Sequence, residues 1–108
     1  TGIVPVAGTE IPGTFELGQN YPNPFNPTTK INFSLPEYSN IIIKIFDISG
    51  REIKTLLSEN MSAGTYTVDW NSTDNSGGKA SSGVYFYRVY ASGENGKYVE
   101  TKKMILLK

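Results

Sequence analysis

The chain has 108 residues, with ten Lys plus Arg against ten Asp plus Glu, no His and no Cys. That length predicts one domain, with core enough to fold without disulfide or metal staples. Zero net charge removes the electrostatic footprint of a nucleic-acid binder or a polybasic anchor, and the missing imidazole and thiol remove the usual nucleophile–base pairs and metal ligands.

Eleven Gly, six Pro and 12% aromatics suit short strands joined by tight turns. No apolar run reaches bilayer length, so no membrane insertion is expected. The first residues also lack the charged-then-apolar start of a signal peptide. The expectation is a piece of a longer polypeptide. Residues 1–14, TGIVPVAGTEIPGT, have no sustained period and read as a linker, or alternatively as a first edge strand. The domain proper runs over residues 15–108. Phe15 to Leu17 is a brief strand candidate. In Asn20-Tyr21-Pro22-Asn23-Pro24-Phe25-Asn26-Pro27 three prolines fix φ and bias the preceding residues away from helix. This predicts a rigid loop, with Asn23 and Asn26 bonded to their own backbone and Tyr21 and Phe25 packed inward as anchors.

Lys30 to Leu35 alternates, placing Ile31, Phe33 and Leu35 on one face, and Pro36 ends the run. Ile41 to Asp47 is apolar on both faces, which predicts a central or partly covered strand. Asp47-Ile48-Ser49-Gly50 is a turn. Arg51–Leu57 follows as a strand with Ile53 and Leu57 inward, although Ile53, Leu56 and Leu57 also fit helical spacing. Ala63-Gly64 turns into Thr65–Trp70, with Tyr66, Val68 and Trp70 on the core face. Asn71–Ser82 is a polar surface loop. Gly83 opens the strand Val84–Ala91, Asn95-Gly96 predicts a type I′ hairpin turn, and Tyr98–Leu107 is the last strand. About seven strands at this spacing predict an all-β, immunoglobulin-like antiparallel sandwich.

Few residues invite chemistry. Asp69 with Asp74, and Glu52 with Glu59, show no spacing that makes a carboxylate pair converge, so no catalytic residue is assigned. The loop 69–78 has oxygen ligands that suit calcium, but it lacks the terminal Glu of an EF-hand, and ordinary Asx turns give the same composition. No metal or other cofactor is therefore assigned. Tyr85 and Tyr87, if outward with Phe86 in the core, would form a sugar platform or a cross-strand pair. Lys44 within its isoleucine strand raises an intramolecular isopeptide bond, against the simpler reading of a snorkelling lysine.

Five blocks in order resemble a known family. Asn20 to Thr29 followed by Ile31-x-Phe33-x-Leu35-Pro36, then Asp47 to Ile53 with Gly50, and Ala63-Gly64-Thr65-Tyr66, are similar to the type IX secretion system type A C-terminal sorting domain. So are Ser82-Gly83-Val84-Tyr85-Phe86-Tyr87 and the closing Lys102-Lys103-Met104-Ile105-Leu106-Leu107-Lys108. The resemblance implies a non-catalytic address on a secreted or cell-surface protein of Bacteroidota and related bacteria, which reaches the periplasm by a signal peptide on its upstream part. It implies partners too: an outer-membrane translocon that reads the domain, and a sortase-like peptidase that cuts the preceding linker and anchors the upstream cargo. By this resemblance Lys102 to Lys108 form the sorting signal, while Tyr21 to Pro27, Gly50, Gly64, Tyr66 and Gly83 to Tyr85 serve the fold. The terminal run would then be read by strand addition at a sheet edge, or be simply the last core strand. Ser82 to Tyr87 also resembles the Ig-like domain of flagellar hook-capping proteins and accessory sandwiches of secreted hydrolases, which implies the alternative of a structural or carbohydrate-binding module.

Overall fold

In the computed structural model the described residues are 3–5 and 11–108. They form eight strands: β1 (Ile3–Pro5), β2 (Glu16–Leu17), β3 (Thr29–Leu35), β4 (Ser39–Asp47), β5 (Glu52–Met61), β6 (Gly64–Trp70), β7 (Gly83–Gly93) and β8 (Lys97–Leu106). Two four-stranded antiparallel sheets, ordered β1-β6-β3-β2 and β5-β4-β7-β8, pack face to face as an all-β Ig-like sandwich. Ile31, Phe33, Leu35, Val68 and Trp70 of the first sheet meet Ile41, Ile43, Ile45, Tyr87, Val89, Met104 and Leu106 of the second.

The period-two patterns place most of this core. β4 lies between β5 and β7, which is why it tolerates apolar residues on both faces: Ile41, Ile43 and Ile45 are fully buried, and Ile42, Lys44 and Phe46 are half-buried outside. Residues 3–5 of the stretch read as a linker are an edge strand on β6, with Val4 opposite Thr67. Residues 1, 2 and 6–10 of that stretch lie outside the described residues.

Four expectations are corrected. Tyr85 and Tyr87 point into the core and Phe86 outward, because the inward isoleucines of β4 set the parity: Ile45 pairs with Tyr87, and Ile43 with Val89. Both rings end in a hydroxyl that reaches a carbonyl, Ser81 for Tyr85 and Gly18 for Tyr87, so burial leaves neither unsatisfied. In β5 the ladder to β4 slips at Leu56 and at Ile53, and the bulge turns both Leu56 and Leu57 inward while Ile53 is half-buried. The helical spacing of these residues is the trace of that slip, and Arg51 stays outside the strand.

The Asn95-Gly96 turn is not type I′. Positive φ occurs at Gly50, Gly64, Ser72, Gly77 and Gly83 among the described residues, and at neither Asn95 nor Gly96. The carboxylate of Glu37 takes over the turn instead, accepting from the Asn95 amide at 2.9 Å and from its side-chain Nδ2 at 2.8 Å. Tyr21, expected to anchor its loop, is 78% exposed.

Candidate functional site

The first and the last of the blocks that carry the sorting-domain resemblance meet at one edge of the sandwich. From Phe15 onward the chain runs alongside β8. Phe15 stacks on Tyr98 with centroids 5.6 Å apart, and Gln19 Nε2 donates to the Lys103 carbonyl at 2.9 Å. Asn23 Oδ1 accepts the Ile105 amide at 3.0 Å. Phe25 then forms a parallel bridge beside Leu106: its amide donates to the Ile105 carbonyl at 3.0 Å, and its carbonyl accepts the Leu107 amide at 2.9 Å. The Pro-rich loop is thus the outer neighbour of the last strand.

That loop is held from within by Asn20, the asparagine that sequence reasoning passed over. Asn20 is 2% exposed; its Nδ2 donates to Thr29 Oγ1 at 3.0 Å and to the Pro22 carbonyl at 3.2 Å. Its amide donates to the Tyr87 hydroxyl at 2.8 Å. Asn23, expected to bond its own backbone, instead spans to β8. Phe25 is the buried anchor, packed on Trp70 at 5.8 Å. Pro22 and Pro24 are exposed, as is Asn26, while the Pro27 carbonyl accepts from the buried Ser72 hydroxyl.

The terminal residues divide by parity. Met104 and Leu106 are fully buried core. Ile105 is half-buried on the outer face, and Lys103, Leu107 and Lys108 are exposed. Lys102 pairs with Glu100 at 3.2 Å. Strand addition is closed at Ile105 and Leu107, where Asn23 and Phe25 already occupy the edge. The side chains of Lys103, Leu107 and Lys108 remain open to a partner.

Two sequence repeats missed by the reading of turns explain the remaining motif residues. Ser62-Ala63-Gly64-Thr65-Tyr66 and Ser81-Ser82-Gly83-Val84-Tyr85 share S-x-G-x-Y. In each the glycine has φ near 154° or 153°, a conformation L side chains avoid, and the tyrosine hydroxyl folds back to the serine carbonyl at 2.8 or 2.6 Å. Val84, inside the second copy, is half-buried on the outer face. Asp47-Ile48-Ser49-Gly50 and Asp74-Asn75-Ser76-Gly77 share D-x-S-G and one hydrogen-bond pattern. A single Oδ1 accepts the amide and hydroxyl of Ser49 or Ser76, and then the amide of Arg51 or Gly78. These donors, the serine hydroxyl foremost, hold both carboxyls below the usual range.

In loop 69–78 the Oδ1 of Asp74 accepts three donors, the Asx-turn arrangement set beside calcium above. No group of three or more His, Cys, Asp or Glu side chains placed to hold a metal ion occurs among the described residues. The loop has a structural role, since Asn75 donates its amide to the Ile53 carbonyl and accepts the Thr55 amide, covering the edge of β5. Lys44 points outward to Glu52 at 3.1 Å, which replaces the isopeptide reading with a surface ion pair.

The family model for the FlgD Ig-like domain matches residues 19–102. The chain belongs to that family. Among solved structures it is similar to dimeric latent PorU from Porphyromonas gingivalis, with TM-score 0.71 and 22% identity over 94% of this chain. It is also similar to FlgD from P. aeruginosa, with TM-score 0.59 and 22% identity over 72% of this chain. The chain spans 10% of the PorU chain and 61% of the FlgD chain. At these identities the likeness is one of fold, and the same fold accounts for most of one of these chains and a small part of the other. No curated protein matches the chain.

Proposed function

We propose that this FlgD-type Ig-like domain is a non-catalytic C-terminal sorting signal, which directs an upstream cargo through the type IX secretion system to the cell surface or medium. The reading rests on the five sequence blocks. One structural observation carries it further: the first block and the last, 82 residues apart at Asn23 and Ile105, are hydrogen-bonded to each other. A recognition surface made of a strand and the loop that clasps it is rigid before the partner arrives, which lowers the ordering cost of binding. In this reading Lys103, Leu107 and Lys108 meet the translocon, and the sortase-like peptidase cuts in the stretch before Phe15.

The test is a fluorescent reporter carrying a signal peptide and residues 1–108, expressed in a host with the type IX system and in its translocon-null derivative. Reporter at the surface only when the translocon is present supports the reading. Periplasmic retention in both strains, with the host's own cargo exported normally, overturns it. The second reading, a structural spacer, rests on the family match itself, because residues 19–102 are Ig-like without reference to the last six residues. A reporter that reaches the surface equally well without Lys103–Lys108 favours the spacer.

A further inference from the structure

The parity that turns Tyr85 and Tyr87 inward places a different set of side chains on the outer face of the β5-β4-β7-β8 sheet. The two faces that this sandwich shows to solvent differ sharply. Outside β3 and β6 stand Lys30, Asn32, Ser34, Thr65, Thr67 and Asp69, polar throughout, with Lys30 and Asp69 paired at 3.0 Å. Outside β4, β7 and β8 the register aligns Phe46 with Phe86 and Lys103, then Lys44 with Arg88 and Thr101, then Ile42 with Tyr90 and Val99. A cationic row lies between two largely apolar ones, the first of which ends in Lys103.

At the centre of this face Arg88 is held in place. Its guanidinium carbon lies 5.3 Å from the centroid of the Phe46 ring. Its Nε donates to Thr101 Oγ1 at 2.7 Å, and its Nη1 reaches the Tyr90 hydroxyl at 3.4 Å. Cation–π contact and two tethers fix the plane of the fork, while Nη2 has no hydrogen-bond partner among the described residues. A groove of about 350 Å³ opens beside it, lined by Phe46, Gly50, Phe86, Arg88 and Thr101.

The charge on this face is unbalanced. Its acidic residue Glu52 is engaged by Lys44, whereas Arg88 and Lys103 have no carboxylate partner among the described residues. The site therefore selects an anion. The patch across three strands and the five residues from Phe86 to Tyr90 covers on the order of 200 Å² by strand geometry. That is well short of the roughly 800 Å² per partner of a stable protein interface. The occupant is small.

We infer that this groove binds an anionic sugar, with its carboxylate or phosphate on the free edge of Arg88, the C–H face of the ring on Phe86, and a hydroxyl at Thr101. A flat aromatic surface with a few placed polar groups suits a ring that is apolar on one face and hydroxylated at its rim. The residues that line this groove belong neither to the Pro-rich clasp nor to the tail beyond Ile105, and Lys103 beside Phe86 is the one residue shared with the sorting reading.

The test is an amide chemical-shift titration of the 108-residue chain with four probes: tetragalacturonate, glucose 6-phosphate, the neutral tetramer of galactose, and tetraglutamate. The expected result is saturable shifts clustered on Phe46, Gly50, Phe86, Arg88 and Thr101 with at least one of the two acidic sugars, and weaker shifts or none with the other two. The uronate and phosphate arms tell which acid is preferred. Arg88→Gln and Phe86→Ser, each checked for an unchanged spectrum elsewhere, are each expected to weaken binding on the order of tenfold, the scale of one lost charge-assisted contact for Arg88 and of one lost apolar contact for Phe86. Absent shifts, shifts centred on the polar face or the tail, equal response to tetraglutamate or the neutral sugar, or binding untouched by Phe86→Ser would each overturn the proposal. The wild-type map needs no variant, so a destabilised substitution does not blunt the test.

Discussion

Phe25 lies beside Leu106 as a one-residue parallel bridge, in a sandwich whose strand ladders are otherwise antiparallel. Its ring is buried against Trp70 while its amide and carbonyl hold the backbone of Ile105 and Leu107. One residue therefore joins the core to the end of the chain. Phe25→Ala removes the ring and leaves a cavity, with an expected loss of about 3–5 kcal/mol by denaturant titration. Faster hydrogen exchange at the Leu107 amide is expected in the same variant, because the loop that protects it loses its anchor. Unchanged exchange at Leu107 would show that the backbone bridge persists without the ring.

Tyr87 joins the same loop from inside the core. Its hydroxyl donates to the Gly18 carbonyl at 2.7 Å and accepts the Asn20 amide at 2.8 Å. Tyr87→Phe leaves two backbone groups without this partner, at an expected cost of about 1–3 kcal/mol. Burial pushes the Tyr87 hydroxyl from 10.0 up to about 12, and burial with the neighbouring Glu100 does the same for Tyr98. The fold favours the neutral phenols, so their contribution is complete below pH 10 and disappears as the pH rises through about 12. Burial raises the Tyr85 hydroxyl as well, so tyrosinate absorbance should show three late-titrating groups in the native chain and two in Tyr87→Phe.

The acid limb has the opposite sign. Hydrogen bonds from Ser49 and Ser76, then from the amides of Arg51 and Gly78, lower the Asp47 and Asp74 carboxyls from their ordinary 3.8. Their contribution is present above that value and is lost as the pH falls through the lowered ones. In Asp47→Asn with Asp74→Asn, the amide oxygen still accepts the turn hydrogen bonds but has no charge to titrate. The thermal midpoint of this double variant should fall at pH 7 and depend less steeply on pH in the acid range. An acid slope equal to that of the unchanged chain would assign the dependence elsewhere, with Glu52, lowered by Lys44 and Thr55, the next group to test.

The strand ladder was legible because its faces alternate cleanly: Ile31-Phe33-Leu35 and Ile41-Ile43-Ile45 leave little choice of side. Tyr85, Phe86 and Tyr87 were not, because three aromatics in a row carry no period, and only pairing with β4 sets their parity. The type I′ expectation at Asn95-Gly96 failed for a related reason: Glu37, 58 residues away, supplies hydrogen bonds that local turn propensity does not contain. Of the candidate site, the two ends were recognisable as motifs, but their contact was not. A bridge between Phe25 and Leu106 depends on a loop path that no local pattern encodes. The S-x-G-x-Y and D-x-S-G pairs were in plain view, since each recurs, and repetition inside so short a chain was the usable signal.

The tail offers a separation of fold from recognition. Met104 is fully buried, so Met104→Ala is expected to cost about 2–5 kcal/mol and to reduce secretion only by unfolding the domain. Lys103 and Lys108 are exposed and carry no salt bridge among the described residues, so Lys103→Gln with Lys108→Gln should leave stability within about 0.5 kcal/mol. If the tail is read by a partner, this double variant keeps its thermal midpoint and loses surface delivery of the reporter. If it is only the last strand of the core, delivery follows stability alone: Met104→Ala fails and the lysine variant is secreted normally. The midpoint and the secreted fraction, measured on the same two variants, separate these outcomes.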